Sequence, residues 1–328
     1  MKIRLANFPV SSLEAISANG YTEIHIIGDG RDNLLDFSGT ALTGIDSISA
    51  NLGADTVLGS SGDDNIFGGY GNDTLLGNAG DDIFNIEVGS GTDSIDGGAG
   101  HDTILVTEDN AAVTLGNETV TSEMFEVIDA SGASNVILTA TVYTNDWDLS
   151  NTTLQNIDHI DMKAGDDTLV GSNADDVIIG GVGHDKLSGN GGNDTFLVGT
   201  GHGADEFDGG AGHDTILATA DNTSILIWKS FVQGAVEVID ANGHNNVTIS
   251  GVGGGNSDNL DFSQTSLIGI TNIKGDSGHD VIRGSQGDDT ISGEAHNDKL
   301  FGEAGDDTFL VGTGHGADEF DGGAGHDT

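Results

Sequence analysis

Gly97-Gly98-Ala99-Gly100-His101-Asp102-Thr103-Ile104-Leu105 decides how this chain folds. It reads G-G-x-G-x-D-x-U-x, where U is a large apolar residue. Glycine at the turn positions permits φ > 0 and close backbone approach. The x-U-x triplet is too short for a helix, and its aliphatic residues suit a strand. The nonapeptide returns at Gly209 to Leu217 and again at Gly322 to Thr328, where the sequence stops. That last copy ends inside its strand, so the sequence is expected to be a piece of a longer repetitive protein.

Working outward, the aspartate of the motif marks a register. In a first block it is Asp55, Asp64, Asp73, Asp82, Asp93 and Asp102. In a second it is Asp167, Asp176, Asp185, Asp194, Asp205 and Asp214. In a third it is Asp280, Asp289, Asp298, Asp307, Asp318 and Asp327. The spacings are 9, 9, 9, 11 and 9 in every block, with the longer step after Phe84, Phe196 and Phe309. A second period of about 112 residues lies above the first. Thr195 to Thr215 is repeated without change at Thr308 to Thr328. Glu126-Val127-Ile128-Asp129 matches Glu237-Val238-Ile239-Asp240, and Asp36-Phe37-Ser38 matches Asp261-Phe262-Ser263. The sequence therefore divides into three modules. Module one is 1–112 with its block at 50–105, module two 113–223 with its block at 162–217. Module three is 224–328 with its block at 275–328, truncated.

Two nonapeptides make one coil of strand, loop, strand, loop, and successive coils stack their strands in parallel about 4.8 Å apart. The fold class expected is all-β, a parallel β-roll or β-helix solenoid with loops along both edges. Its inward column in the first block is Val57, Ile66, Leu75, Phe84, Ile95 and Ile104. One large residue in nine buries little apolar surface against the entropy of ordering the chain. A second stabiliser has to come from the loops. Asp55, Asp73 and Asp93 would line one edge, Asp64, Asp82 and Asp102 the other. Carboxylates stacked at strand spacing repel unless a cation lies between them. Calcium takes 6–8 oxygens in flexible geometry, which exposed carbonyls and one aspartate per loop can supply. Magnesium wants a tight octahedron, and there are no thiolates to favour a softer metal.

Composition agrees. The chain of 328 residues has 54 acidic against 9 basic residues, a net charge of −45, 54 glycines and no cysteine. Such a charge repels itself in a compact state unless cations bind. It argues against nucleic acid and anionic membrane surfaces as partners. A hydrophobic content of 35% in short regular clusters argues against disorder. No apolar run approaches membrane-spanning length, so no membrane insertion is expected. No apolar core follows Met1-Lys2-Ile3-Arg4, so no signal peptide is expected there.

Eighteen copies in register resemble the RTX (repeats-in-toxin, hemolysin-type) calcium-binding repeat family, and they cover about half the chain. The resemblance implies a right-handed parallel β-roll with calcium held between loops i and i+2. Each block then offers about four sites, and the chain about a dozen Ca²⁺ ions. The eighteen aspartates above are the implied metal ligands, and Asp102 should share an ion with Asp82. The family also implies type I secretion to the cell exterior and folding in external calcium. Two functions fit. One is a calcium-loaded structural segment of a large secreted or cell-surface bacterial protein of adhesin, surface-layer or matrix type. Its partners would be calcium, neighbouring modules, or cell-surface and matrix glycans. The other is the secretion and folding region of an RTX enzyme or toxin whose active domain lies outside this chain.

Other residues carry narrower expectations. Ala174 and His296 stand at the fourth position of the motif, a glycine elsewhere, and should be strained if φ > 0 is needed there. Ser60, Ser172 and Ser285 replace the second glycine. Ile27 to Leu35 fits the pattern outside a block and makes Asp32 a candidate ligand. Asp63, Asp81, Asp166, Asp175, Asp288 and Asp306 precede the repeat aspartates and are expected to face solvent. Gly275-Asp276-Ser277-Gly278 spells a serine-protease signature but is simply the start of a nonapeptide, and no enzyme is expected. Trp147 and Trp228 are expected in the core or on incidental surface rather than as sugar platforms. His101, His213 and His326 are expected at the surface. The segments 106–161 and 218–273, 56 residues each, are expected to continue the solenoid as about three 18-residue coils, with an independent β-domain as the alternative. A short helix is possible at Ser11 to Asn19.

Overall fold

The computed structural model describes residues 1–8, 13–252, 255 and 257–328. They form two compact units, Met1–Asp161 and Met162–Thr328. Among the described residues every regular element is a β-strand, and no helix is long and apolar enough to cross a membrane.

In the first unit one row of parallel strands runs through Lys2–Arg4, His25–Ile27, Ser47–Leu52, Asn65–Tyr70, Ile83–Ile86, Thr103–Val106, Val127–Asp129 and Thr153–Gln155. A second row holds Leu34–Asp36, Thr56–Leu58, Thr74–Ala79 and Ser94–Ala99. The registers Val57↔Leu75↔Ile95 and Ile66↔Phe84↔Ile104 set the inward residues in two columns. All six side chains of the expected column are fully buried, at 0% exposure. The second unit repeats the design. Thr168–Val170, Lys186–Ser188 and Ala204–Asp208 form one row, Val177–Ile179, Thr195–Val198 and Thr215–Ala218 another. Its later coils stack Val281–Arg283 on Lys299–Phe301 and Thr290–Ser292 on Thr308–Phe309.

The segments between blocks continue these rows. Thr103 pairs with Val127 in the first unit, and Thr215 with Val238 in the second. The independent-domain alternative is thereby excluded, but three coils of 18 residues is corrected. Within a block, loops meet across 18 or 20 residues; beyond it, across 24 and then 26. These wider coils carry three strands each, such as Val136–Thr139, Asp146–Asp148 and Thr153–Gln155. Three walls enclose more volume than two. Phe125, Trp147 and Leu149 fill it in the first unit, Phe231 and Phe262 in the second. Trp147 is buried, its indole N–H donating to Asn117 O at 3.1 Å, which rules out a sugar platform there.

The helix expected near Ser11 is also corrected. Ala15–Ser17 is a strand paired with Ala41–Thr43, because its single apolar side chain, Ile16, alternates with exposed neighbours at a period of two. Ser11 and Ser12 lie outside the described residues.

Candidate metal centre

The loop Gly97–Asp102 shows why each residue type is where it is. Gly98 and Gly100 take φ of 98° and 153°, values open to glycine. A side chain at Gly100 would strike the carbonyl of Gly80, one coil earlier. A side chain at Gly97 would strike Asp102 Oδ2, so the first glycine makes the space the carboxylate occupies.

The carboxylates form ladders along each edge. Within a ladder, the Oδ1 atom of an aspartate accepts a hydrogen bond from the backbone N–H of the equivalent residue one coil earlier. On one edge of the first block Asn33 donates to Asp55 at 2.6 Å, Asp55 to Asp73 at 2.8 Å and Asp73 to Asp93 at 3.0 Å. On the other, Asp64 donates to Asp82 at 2.7 Å and Asp82 to Asp102 at 2.9 Å. The second block has Asp167 to Asp185 to Asp205, and Asp176 to Asp194 to Asp214. The third has Asp280 to Asp298 to Asp318, and Asp289 to Asp307 to Asp327. All eighteen sequence-derived positions thus fall into two edge rows per block, as the spacing requires. The longer spacing after Phe84 is absorbed within the ladder, whose bond spans 18 residues at Asp55 and 20 at Asp73. Sixteen of the eighteen are buried; Asp318 and Asp327 are half-buried.

The second carboxylate oxygen stands apart from the ladder. Oδ2 of Asp55, Asp73, Asp82, Asp102, Asp185, Asp194, Asp214, Asp280, Asp298 and Asp307 is buried with no hydrogen-bond partner. A buried carboxylate oxygen without a partner costs several kcal/mol unless it is protonated or meets a cation. Burial pushes the carboxyls of Asp82, Asp93, Asp194 and Asp205 up to about 7, against the backbone N–H groups that favour their charge. It pushes Asp55, Asp176, Asp185 and Asp280 up to about 6. Arg31, Arg283 and Lys299 do not relieve this, being paired with Asp29, Glu303 and Glu319. Backbone carbonyls lie beside these oxygens. A Cβ on Gly77 would collide with Asp82 Oδ2 and sit 2.5 Å from Gly97 O. Among the described residues no three His, Cys, Asp or Glu side chains converge. The donor set is therefore carboxylate plus carbonyl oxygen, which suits calcium and not a transition metal.

Three features were hidden in the sequence. The serine loops begin ladders. Ser60, Ser172 and Ser285 donate their backbone N–H to Oδ2 of Asp64, Asp176 and Asp289 at 2.6, 2.7 and 2.6 Å. These first members satisfy their second oxygen internally. Ladders also end on glutamates. Glu126 and Glu237 accept from the backbone N–H of Asp102 and Asp214 at 2.6 and 2.8 Å. Third, polar residues that precede ladder aspartates build an outer ladder of opposite sense. Asp63 Oδ1 accepts from Asp81 N–H and Asp81 from His101 N–H, both at 2.9 Å. Asp166, Asp175, Asp288 and Asp306 do likewise for His184, Asn193, Asp306 and His326. These acids are exposed, as expected, but they staple coils rather than stand free.

Two local expectations need correction. Asp32 is exposed and belongs to the outer ladder, accepting from Ala54 N–H at 2.9 Å; the ladder position is Asn33. Ala174 does not take positive φ, because the serine-loop turn is closed by Ser172 Oγ, which accepts from Ala174 N–H at 3.1 Å. His296 is at φ 85°, as expected. His296→Gly should remove about 1 kcal/mol of strain and raise the urea midpoint at saturating calcium without changing the slope. An unchanged or lowered midpoint would show that the ring's packing outweighs its backbone cost.

The remaining candidates fall into the repeat. Asp276, in the protease-like tetrapeptide, is a second-position loop residue at φ 70°. His101, His213 and His326 are exposed. Trp228 is half-buried under His184, the rings 4.1 Å apart.

Comparison with known families agrees with this geometry. The family described as RTX calcium-binding nonapeptide repeat (4 copies) matches residues 40–64, 58–85, 85–110, 163–196, 200–225, 274–309 and 313–328. Those segments make up more than half of the chain and contain all eighteen ladder aspartates. No curated protein matches the sequence. The chain belongs to the RTX calcium-binding nonapeptide repeat family.

Proposed function

We propose that this chain is a calcium-loaded structural segment of a large secreted or cell-surface bacterial protein, of adhesin, surface-layer or matrix type. Its role is mechanical and not catalytic. The observation that carries the reading is the row of buried carboxylate oxygens with no partner. In the first block these are Asp55, Asp73, Asp82 and Asp102, which supports about four ions per block and about a dozen in all. The eighteen repeat aspartates supply one carboxylate per loop, with carbonyls of glycine-rich turns completing each shell. Calcium supplies the positive charge that lets the edges close. The chain's own residues supply the rest: Oδ1 fixes the previous coil, and the first glycine holds space open for Oδ2. Asp82 and Asp102 share an ion on this reading.

The tandem module of about 112 residues supports a repetitive structural segment over a secretion appendage, because an appendage has no need of a repeating module. Type I export as an unfolded acidic chain, followed by folding in external calcium, fits the absence of cysteine from the sequence. Neighbouring modules and surface or matrix glycans are the partners such a segment would meet.

Far-ultraviolet circular dichroism and gel filtration, with calcium and then with chelator, test the proposal. Expected is β-structure and a compact elution volume with calcium, and loss of both with chelator. Equal compaction and β-content in chelator would refute the role given to the ions.

A further inference from the structure

We propose that Asp258 holds an additional calcium ion, shared with the Gly275–Asp280 loop, in a coil that the nonapeptide pattern does not reach. The family match in this region begins at residue 274, so Asp258 itself lies outside it. Asp258 precedes Asp280 in the same edge ladder, donating its backbone N–H to Asp280 Oδ1 at 2.8 Å. It is 2% exposed, and its Oδ2 is buried with no hydrogen-bond partner. A Cβ on Gly251 would collide with Asp258 Oδ2 and sit 2.9 Å from Gly275 O. That is the same pairing of carboxylate and next-coil carbonyl found around Gly77, where the oxygens are those of Asp82 and Gly97. The inference rests on the reading of the array as calcium-loaded.

The other modules carry an amide at this position. Asn33 stands at the matching place in module one, donating to Asp55 Oδ1 as Asp258 donates to Asp280. Its amide is satisfied in its own loop: Oδ1 accepts from Asp29 N–H at 2.9 Å and Nδ2 donates to Asp29 Oδ1 at 3.0 Å. In module two the residue is Asn145, which accepts from Thr141 Oγ1 at 3.0 Å and donates to Thr141 O at 3.3 Å. A neutral amide closes this coil with hydrogen bonds alone. A carboxylate in the same space leaves an oxygen over, and the carbonyl beside it is an acceptor, not a donor. A hard cation satisfies both oxygens at once. Module three would therefore begin its column of ions one coil earlier than module one.

Ion counting by equilibrium dialysis with radiolabelled calcium, or by native mass spectrometry, reads the difference. Asp258→Asn, which installs the residue of the other two modules, should bind one ion fewer than the wild type. Asp276→Asn removes the same charge from the exposed side of the adjoining loop and should leave the count unchanged. Equal counts for Asp258→Asn and wild type, or an equal loss in both variants, overturn the proposal. Should Asp258→Asn fail to refold in calcium by circular dichroism, Asn33→Asp carries the test: one ion gained supports it, none gained overturns it. A wild type that takes up no calcium would sink the wider reading, whereas an unaffected Asp258→Asn sinks only this one.

Discussion

In chelator, lowering the pH from about 8 to about 5 is expected to restore part of the β-structure that calcium removal abolishes. The sign follows from the buried carboxyls. Their folded-state values of about 6 to 7, at Asp55, Asp82, Asp93, Asp194 and Asp205 among others, lie above the ordinary value of 3.8. The folded chain then binds more protons than the unfolded chain, so metal-free stability falls as pH rises. The penalty is absent below about pH 4, grows from there, and is complete above about pH 7. Every tenfold gain in a carboxyl's proton affinity on folding corresponds to about 1.4 kcal/mol. Discounted for solvent at the loop edges, the cost is about 1–2 kcal/mol per carboxyl. Eight or nine such groups cost about 8–18 kcal/mol, as much as the whole stability of a typical domain, about 5–15 kcal/mol. No other single change to this chain should have a larger effect. With calcium the dependence inverts, since metal and proton compete for one oxygen, and apparent affinity should weaken as pH falls through 7 to 6. Circular dichroism against pH, with and without chelator, checks both arms, and gel filtration separates refolding from aggregation. A chelated chain that gains β-structure as pH rises would contradict the assignment of these carboxyls as the destabilising groups.

That balance explains why the thin core is legible as a problem in the sequence alone. A large inward residue contributes about 1.5–3 kcal/mol, while ordering the backbone costs about 1–2 kcal/mol for each of nine residues. The nonapeptide can be read because glycine, aspartate and the apolar residue act within one loop and one strand. Val57, Ile66 and Leu75 are buried where a period of nine places them. What crosses between coils cannot be read so directly. The opposite senses of the inner and outer ladders depend on which way each side chain leans, information that spacing does not carry. The serine loops look like departures from the pattern, whereas Asp64, Asp176 and Asp289 need a local donor because they open their ladders. Asp258 escapes the pattern because its loop is longer, so its glycine is out of register with Gly97 and Asp102. Glu126 and Glu237 are visible only as matched positions between modules. Their length lets a carboxylate reach the last N–H from a wider coil. Asp32 failed by one residue, since two adjacent polar side chains, Asp32 and Asn33, offered themselves for one slot.

The cradle of the carboxylate gives the sharpest test of this architecture. Gly77→Ala is expected to lose the ion at Asp82 and to lower stability in calcium by several kcal/mol, about the cost of a buried charge left without its partner. Gly77 does not have positive φ, so alanine meets no backbone penalty there. All of the effect comes from the added methyl group, which would collide with Asp82 Oδ2 and crowd Gly97 O at 2.5 Å. Those are the two oxygens proposed to face the ion. Gly62→Ala is the matched control. Gly62 also lacks positive φ, and its nearest neighbour to an added Cβ is Ser60 Oγ at 4.0 Å. The chain has already made that substitution at Ala174, the same position one module on. Gly62→Ala should therefore keep every ion and stay within about 0.5 kcal/mol of wild type. Calcium counts and urea midpoints on the two variants separate a glycine needed for space beside a metal from one that merely turns the chain. If Gly77→Ala binds a full complement of calcium, the ion does not sit over the first glycine, and the oxygens of Asp82 and Gly97 are not its ligands.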